Sequence, residues 1–162
     1  MPLLLARIDD RLIHGQVAFG WGRPLDATLF LVVSDALRAD PASAELYLAA
    51  VPEPATGAVV SVAEACAPET RARVDRERTI LLLPGTDEAL RLHDGGFPLT
   101  DLNVGGIHHA PGRVPVLPYV FLDDADRARL LALARGGVRV AARDLPSNPE
   151  HPLARLLGGT TA

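Results

Sequence analysis

Two short stretches of the sequence carry most of its reactive side chains. The first is Arg7-Ile8-Asp9-Asp10-Arg11-Leu12-Ile13-His14-Gly15-Gln16-Val17, with two arginines, two aspartates and a histidine within eight residues. Arginines repel a divalent ion, so this is not the donor set of a metal site. It suits an anion instead, because guanidinium forks bind phosphate in bidentate fashion. A neutral His14 imidazole presents a lone pair that can attack phosphorus. An aspartate on the other ring nitrogen would fix the tautomer, and Gly15 leaves space beside the ring. Arg7 and Arg11 suit a structural role equally well, as ion-pair partners of Asp9, Asp10 or Asp26. Asp10 is expected to orient either His14 or Arg11.

The second stretch is Asn103-Val104-Gly105-Gly106-Ile107-His108-His109. Gly105 and Gly106 allow backbone N–H groups to approach an anion closely. The same composition also fits a tight turn with exposed histidines. His108 and His109 are adjacent and diverge, and no HxxxH spacing exists, so no metal site is expected.

The elements that must position these stretches are legible as alternating strands and helices. Apolar runs at Leu3–Ile8, Thr28–Val33, Ala58–Val62, Thr79–Leu83, Leu102–Val104, Tyr119–Leu122 and Val138–Ala142 read as seven strands. A short helix is expected over Ile13–Gly22, stopped by Pro24. Asp40-Pro41 reads as a cap and first turn of a helix to about Val51. Ser61 and Glu64 have capping-box spacing for a helix near 62–66. Arg71–Arg78 reads as a charged, solvated segment. Further helices are expected from Thr86 or Asp87 to His93, from Asp123 to Gly136, and over Leu153–Leu157, with Gly158–Ala162 frayed. Continuous apolar strands separated by helices imply a single α/β domain over residues 1–162. Its mainly parallel central sheet would have about seven strands, with helices on both faces. Sites in such sheets form at the carboxyl ends of the strands, where both stretches fall.

Composition narrows the function. Of 162 residues, 48% are hydrophobic and 22% charged, which describes a globular chain. All 16 basic residues are arginine, which excludes Schiff-base and P-loop lysine chemistry. A net charge of −4 argues against a nucleic-acid partner. Cys66 is the single cysteine, so neither an intramolecular disulfide nor a multi-cysteine zinc site can form. No apolar run approaches the ~18 residues of a membrane span, and the start reads as a buried strand and not a signal peptide. A cytoplasmic protein without a bound cofactor is the expectation.

The stretch from Arg7 to Val17, followed by Trp21, strongly resembles the start of the IIB component of the mannose/fructose/sorbose family of the bacterial phosphoenolpyruvate-dependent sugar phosphotransferase system. Leu31–Asp35 with Ala39–Pro41, Ala49–Pro52, Ser61–Ala65, Asn103–His108, Gly137–Val140 and Leu145-Pro146 continue the likeness in order. Pro111–Pro118 departs from it, being proline-rich where the family usually has a strand of small and polar residues. Arg23-Pro24, which would shorten the first helix, is a second departure.

The resemblance implies a cytoplasmic phosphocarrier and phosphotransferase. His14 would accept a phosphoryl group on Nδ1 from a separate phosphorylated IIA protein. It would pass that group to a sugar delivered by membrane IIC and IID components. Arg11, with Arg7 as the weaker candidate, would stabilise the transferring group. Gly15, Asn103, Gly105, Gly106 and His108 would line the phosphate or form the opposite wall. A regulatory phosphoprotein of the same fold, in a system without sugar transport, is the alternative.

Overall fold

Leucine- and valine-rich runs bounded by turns form strands here because their side chains can be buried on both faces of a sheet. In a computed structural model, which describes residues 3–158, these strands are β1 (Leu3–Asp9), β2 (Leu29–Val33), β3 (Thr56–Val60), β4 (Thr79–Leu83), β5 (Asp101–Gly106) and β8 (Arg139–Ala142). They make one sheet in the order β3-β2-β4-β1-β5-β8, all parallel. A two-residue strand, β9 (His151–Pro152), completes seven by pairing antiparallel to β8. Residues 1–2 and 159–162 lie outside the described part, and with them most of the fraying expected at the end of the chain.

The period-two alternation of the strands separates two cores. Phe30, Val32, Ile80 and Leu82 face α1 (Gln16–Gly22 in π-helical geometry, continuing as Arg23–Leu25), α2 (Asp35–Arg38) and α3 (Pro41–Leu48). Ala6, Ile8, Leu29, Leu31, Val33, Leu81 and Leu83 face the other way. There they meet α4 (Val62–Cys66), α5 (Pro68–Arg76), α6 (Thr86–Asp94), α7 (Asp124–Arg135) and α8 (Leu153–Leu156). Ser61 with Glu64, and Asp123 with Asp126, close full capping boxes on α4 and α7.

Three local expectations need correction. The strand read at Tyr119–Leu122 is β7 (Val120–Leu122), and it lies outside the central sheet. It pairs with β6 (Val114–Leu117) in a separate antiparallel ribbon, so the proline-rich stretch does contain a strand. A two-stranded ribbon is all edge, and Pro115 is tolerated there. The first helix does not stop before Pro24: its π-helical part Gln16–Gly22 runs directly into Arg23–Leu25, and Asp26 closes it in the left-handed conformation (φ 56°). The charged segment 71–78 is solvated as expected, with only Val74 buried, and most of it is helical in α5. No helix among the described residues is long and apolar enough to cross a membrane.

Candidate functional site

β1 ends in the middle of the sheet, flanked by β4 and β5. Arg7 and Asp9 share one face of the strand because they are two residues apart. That face lies under α1, where the Arg7 guanidinium stands 5.4 Å from the centre of the Trp21 ring. Arg7 is fully buried, and every one of its N–H directions is used. Nε and Nη2 donate to Asp9 Oδ2 at 3.3 and 3.2 Å. Nη1 donates to Asn103 Oδ1 at 2.8 Å and to the Arg143 carbonyl at 3.0 Å, and Nη2 also reaches the Gly105 carbonyl at 3.3 Å. Burial lowers the Arg7 pKa against the raising effect of Asp9, and an arginine so placed remains charged.

Asp9 is the centre of the arrangement. Its Oδ2 lies 3.1 Å from His14 Nε2, and its Oδ1 accepts from Arg11 N at 3.1 Å and Arg11 Nε at 3.3 Å. Burial works to raise the carboxyl's pKa. The hydrogen bond from His14, the charge of Arg7 and the Arg11 N–H outweigh it and hold the pKa at about 2. A carboxylate ionised that firmly fixes the His14 tautomer: Nε2–H donates to Asp9, and Nδ1 carries the lone pair.

The loop that swings His14 into place turns sharply at Leu12, which has φ 54°, a left-handed value unusual for leucine. Its N–H donates to the Asp9 carbonyl at 2.9 Å, and its side chain is buried in the α1 core. Burial of Leu12 and Ile13 before it and of Val17 after it thus pins both sides of a loop whose His14 side chain is 19% exposed. Gly15 precedes the first helical residue, and a Cβ built on it would meet nothing within 4 Å. Arg11 is 43% exposed and reaches Gln16 Oε1 through Nη2 at 2.8 Å.

The second stretch is brought alongside the first by strand pairing, Arg7 opposite Asn103 and Asp9 opposite Gly106. The register slips between Ile8 and Asp9, which leaves Gly105 as an extra residue. His108 docks on Asp10: its N–H donates to Oδ2 at 2.7 Å, and its ring Nδ1 lies 2.5 Å from Oδ1.

Several sequence expectations change on this geometry. Asp10 orients neither His14 nor Arg11; it holds His108, and Asp9 performs the orienting role. Arg7 has no donor left for a phosphate and acts as the anchor of Asp9. Asn103 lies behind Arg7, with Nδ2 donating to the Arg143 carbonyl at 3.1 Å, so it braces the site and does not line it. Gly105 is not there for anion approach. A Cβ on it would stand 1.9 Å from Arg7 Cζ, so it is glycine to admit the guanidinium. Gly106 similarly leaves room for Asp9, whose Oδ1 would be 3.2 Å from a Cβ there. The role of Asp9 had a signal in the sequence, namely its shared strand face with Arg7.

Comparison with known proteins places this site in context. The family model described as "PTS system sorbose subfamily IIB component" matches residues 3–161. The mannose-specific EIIAB component of Escherichia coli is 33% identical over 157 residues, covering 97% of this chain. The chain spans about half (49%) of that relative's length. The sorbose-specific EIIB component of Lacticaseibacillus casei is 32% identical over 153 residues, covering 94% of this chain and 93% of the relative. The crystal structure of the IIBSor domain of the Klebsiella pneumoniae sorbose permease superposes with a TM-score of 0.90 at 29% identity, over 100% of both chains.

Proposed function

We propose that this chain, which belongs to the sorbose subfamily of IIB components of the sugar phosphotransferase system, carries phosphoryl groups on His14 Nδ1 in the cytoplasm. A phosphorylated IIA protein is the donor. A sugar, presented by IIC and IID membrane components, is the final acceptor, so the activity is that of a protein-phosphohistidine–sugar phosphotransferase.

The observation that carries this reading is the 3.1 Å contact of Asp9 Oδ2 with His14 Nε2. It leaves Nδ1 with its lone pair as the nucleophile. When Nδ1 takes the phosphoryl group, the ring becomes cationic while keeping its Nε2–H. Asp9, already ionised and buried, stabilises that cation without rearranging. Phosphoryl transfer passes through a loose transition state with charge on the equatorial oxygens, so positioning and electrostatics do most of the catalysis. Arg11 supplies a partly exposed guanidinium at the mouth of the site, and the first free N–H groups of α1 follow directly after Gly15. The segment from Gly106 to His108 forms the opposite wall.

Incubation with a phosphorylated IIA protein of the same family is the test. One acid-labile phosphoryl group should map to the peptide containing His14, and ³¹P NMR should report the Nδ1 isomer. Full labelling of a His14→Ala variant, or an Nε2 linkage, would overturn the reading.

A further inference from the structure

Asp9 and Asp10 are consecutive, and each binds one imidazole. Asp9 is the last residue of β1 and Asp10 opens the turn that follows it. Asp9 takes His14 from the loop before α1, while Asp10 takes His108 from the loop after β5. The two carboxylates select opposite ring nitrogens. Asp9 engages Nε2 of His14 and frees Nδ1, whereas Asp10 engages Nδ1 of His108 and frees Nε2.

His108 is held more firmly than an exposed turn requires. Its N–H is bound to Asp10 Oδ2, and its carbonyl accepts from Arg113 Nη1 at 3.2 Å. Arg113 is itself fixed by its Nε to Oδ2 of Asp126, a buried carboxylate at the start of α7, at 3.2 Å. The main chain is thus clamped from the turn after β1 and, through Arg113, from α7, while the ring remains 49% exposed. An imidazole whose Nδ1–H is tied to a carboxylate, and whose Nε2 has no hydrogen-bond partner among the described residues, is arranged as a proton acceptor, because the carboxylate stabilises the imidazolium that forms.

We propose that His108 is the general base of the second transfer, from phospho-His14 to the acceptor hydroxyl; this rests on the carrier reading of His14. The hydroxyl oxygen attacks phosphorus as the Nδ1–P bond breaks, and Nδ1 of His14 leaves with the electron pair. The hydroxyl proton passes to His108 Nε2, giving an imidazolium paired with Asp10. His14 returns to its neutral form with Nε2–H still on Asp9. The first transfer, imidazole to imidazole, moves no hydroxyl proton and so makes no use of such a base.

The two half-reactions can be separated. Labelling is measured with phosphoramidate, a small phosphoryl donor that needs no partner, and with phospho-IIA. Discharge is measured in a single turnover to radiolabelled hexoses in membranes carrying IIC and IID. In His108→Gln, labelling should slow by less than about threefold, while discharge falls about 100-fold or more. Asp10→Asn should also slow discharge, by about tenfold, since it keeps an acceptor for His108 but removes the charge. A solvent deuterium effect on discharge in the wild-type chain should vanish in His108→Gln. Discharge at the wild-type rate in His108→Gln would overturn the proposal. Equal slowing of both steps would also overturn it, by assigning His108 to phosphate binding. A wild-type chain that neither donor labels would overturn the carrier reading itself, and this one with it.

Discussion

Asp9 Oδ2 is shared between the fully buried guanidinium of Arg7 and Nε2 of His14. One oxygen atom thereby couples the stability of the sheet to the tautomer of the His14 imidazole. The guanidinium neutralises the carboxylate in the core, and the carboxylate sets the histidine tautomer.

Stability should carry the signature of this carboxylate. The pKa of Asp9 is lowered from 3.8 to about 2 on folding. A lowered carboxyl contributes its stability above the unfolded pKa and loses it as pH falls through the folded one. The contribution, about 2 kcal/mol, should be complete above pH ~4 and vanish towards pH ~2. In Asp9→Asn this part of the acid dependence should be absent, and thermal melts from pH 2 to 6 check it. The variant should also be less stable at pH 7 by about 3–5 kcal/mol, because Arg7 is left as an unpaired buried charge. If it folds, labelling of His14 should slow about 100-fold, since the tautomer is no longer enforced.

Arg7→Lys is expected to cost stability although the charge is kept. An ammonium has three donors on a flexible stem and cannot span Asp9, Asn103, Gly105 and Arg143 together. Loss of two charge-assisted bonds corresponds to about 3–6 kcal/mol. Denaturant unfolding should therefore show a lower midpoint, and an unchanged midpoint would remove Arg7 from its anchoring role.

Arg11→Lys separates catalysis from stability. The side chain is partly exposed and its ion pair with Asp9 is long, so stability should change by less than about 1 kcal/mol. Labelling by phospho-IIA should slow about tenfold, equivalent to ~1.4 kcal/mol of transition-state stabilisation. Stopped-flow transfer kinetics beside a thermal melt decide between the catalytic and the structural role.

The glycines should divide into two groups. Gly105→Ala puts a methyl group into the Arg7 guanidinium and should destabilise by about 3 kcal/mol. Gly15→Ala enters open space on a residue already in helical geometry (φ −53°, ψ −42°), and should stabilise by about 0.4–1 kcal/mol. Equal effects of the two substitutions on the melting temperature would contradict this assignment.

Much of this protein was legible in the residues alone. The apolar runs fixed six strands of the central sheet, because a strand buried on both faces leaves a continuous hydrophobic signature. Ser61 with Glu64 and Asp123 marked helix starts through local capping chemistry. The Arg7–Val17 motif marked His14, since its chemistry is encoded within a few neighbouring positions. Strand β9 left no such trace, because two residues have no periodicity to read. Tertiary structure alone decided which aspartate serves which histidine. Asp9 is the last residue of β1 and Asp10 the first of the turn after it, so neighbouring carboxylates part at the strand end. Which of them meets His14, and which the loop after β5 and His108, depends on helix packing and on the register slip at Gly105. The same long-range packing buried Arg7 and turned Asn103 and Gly105 from expected site residues into its supports, because burial is a property of the assembled sheet.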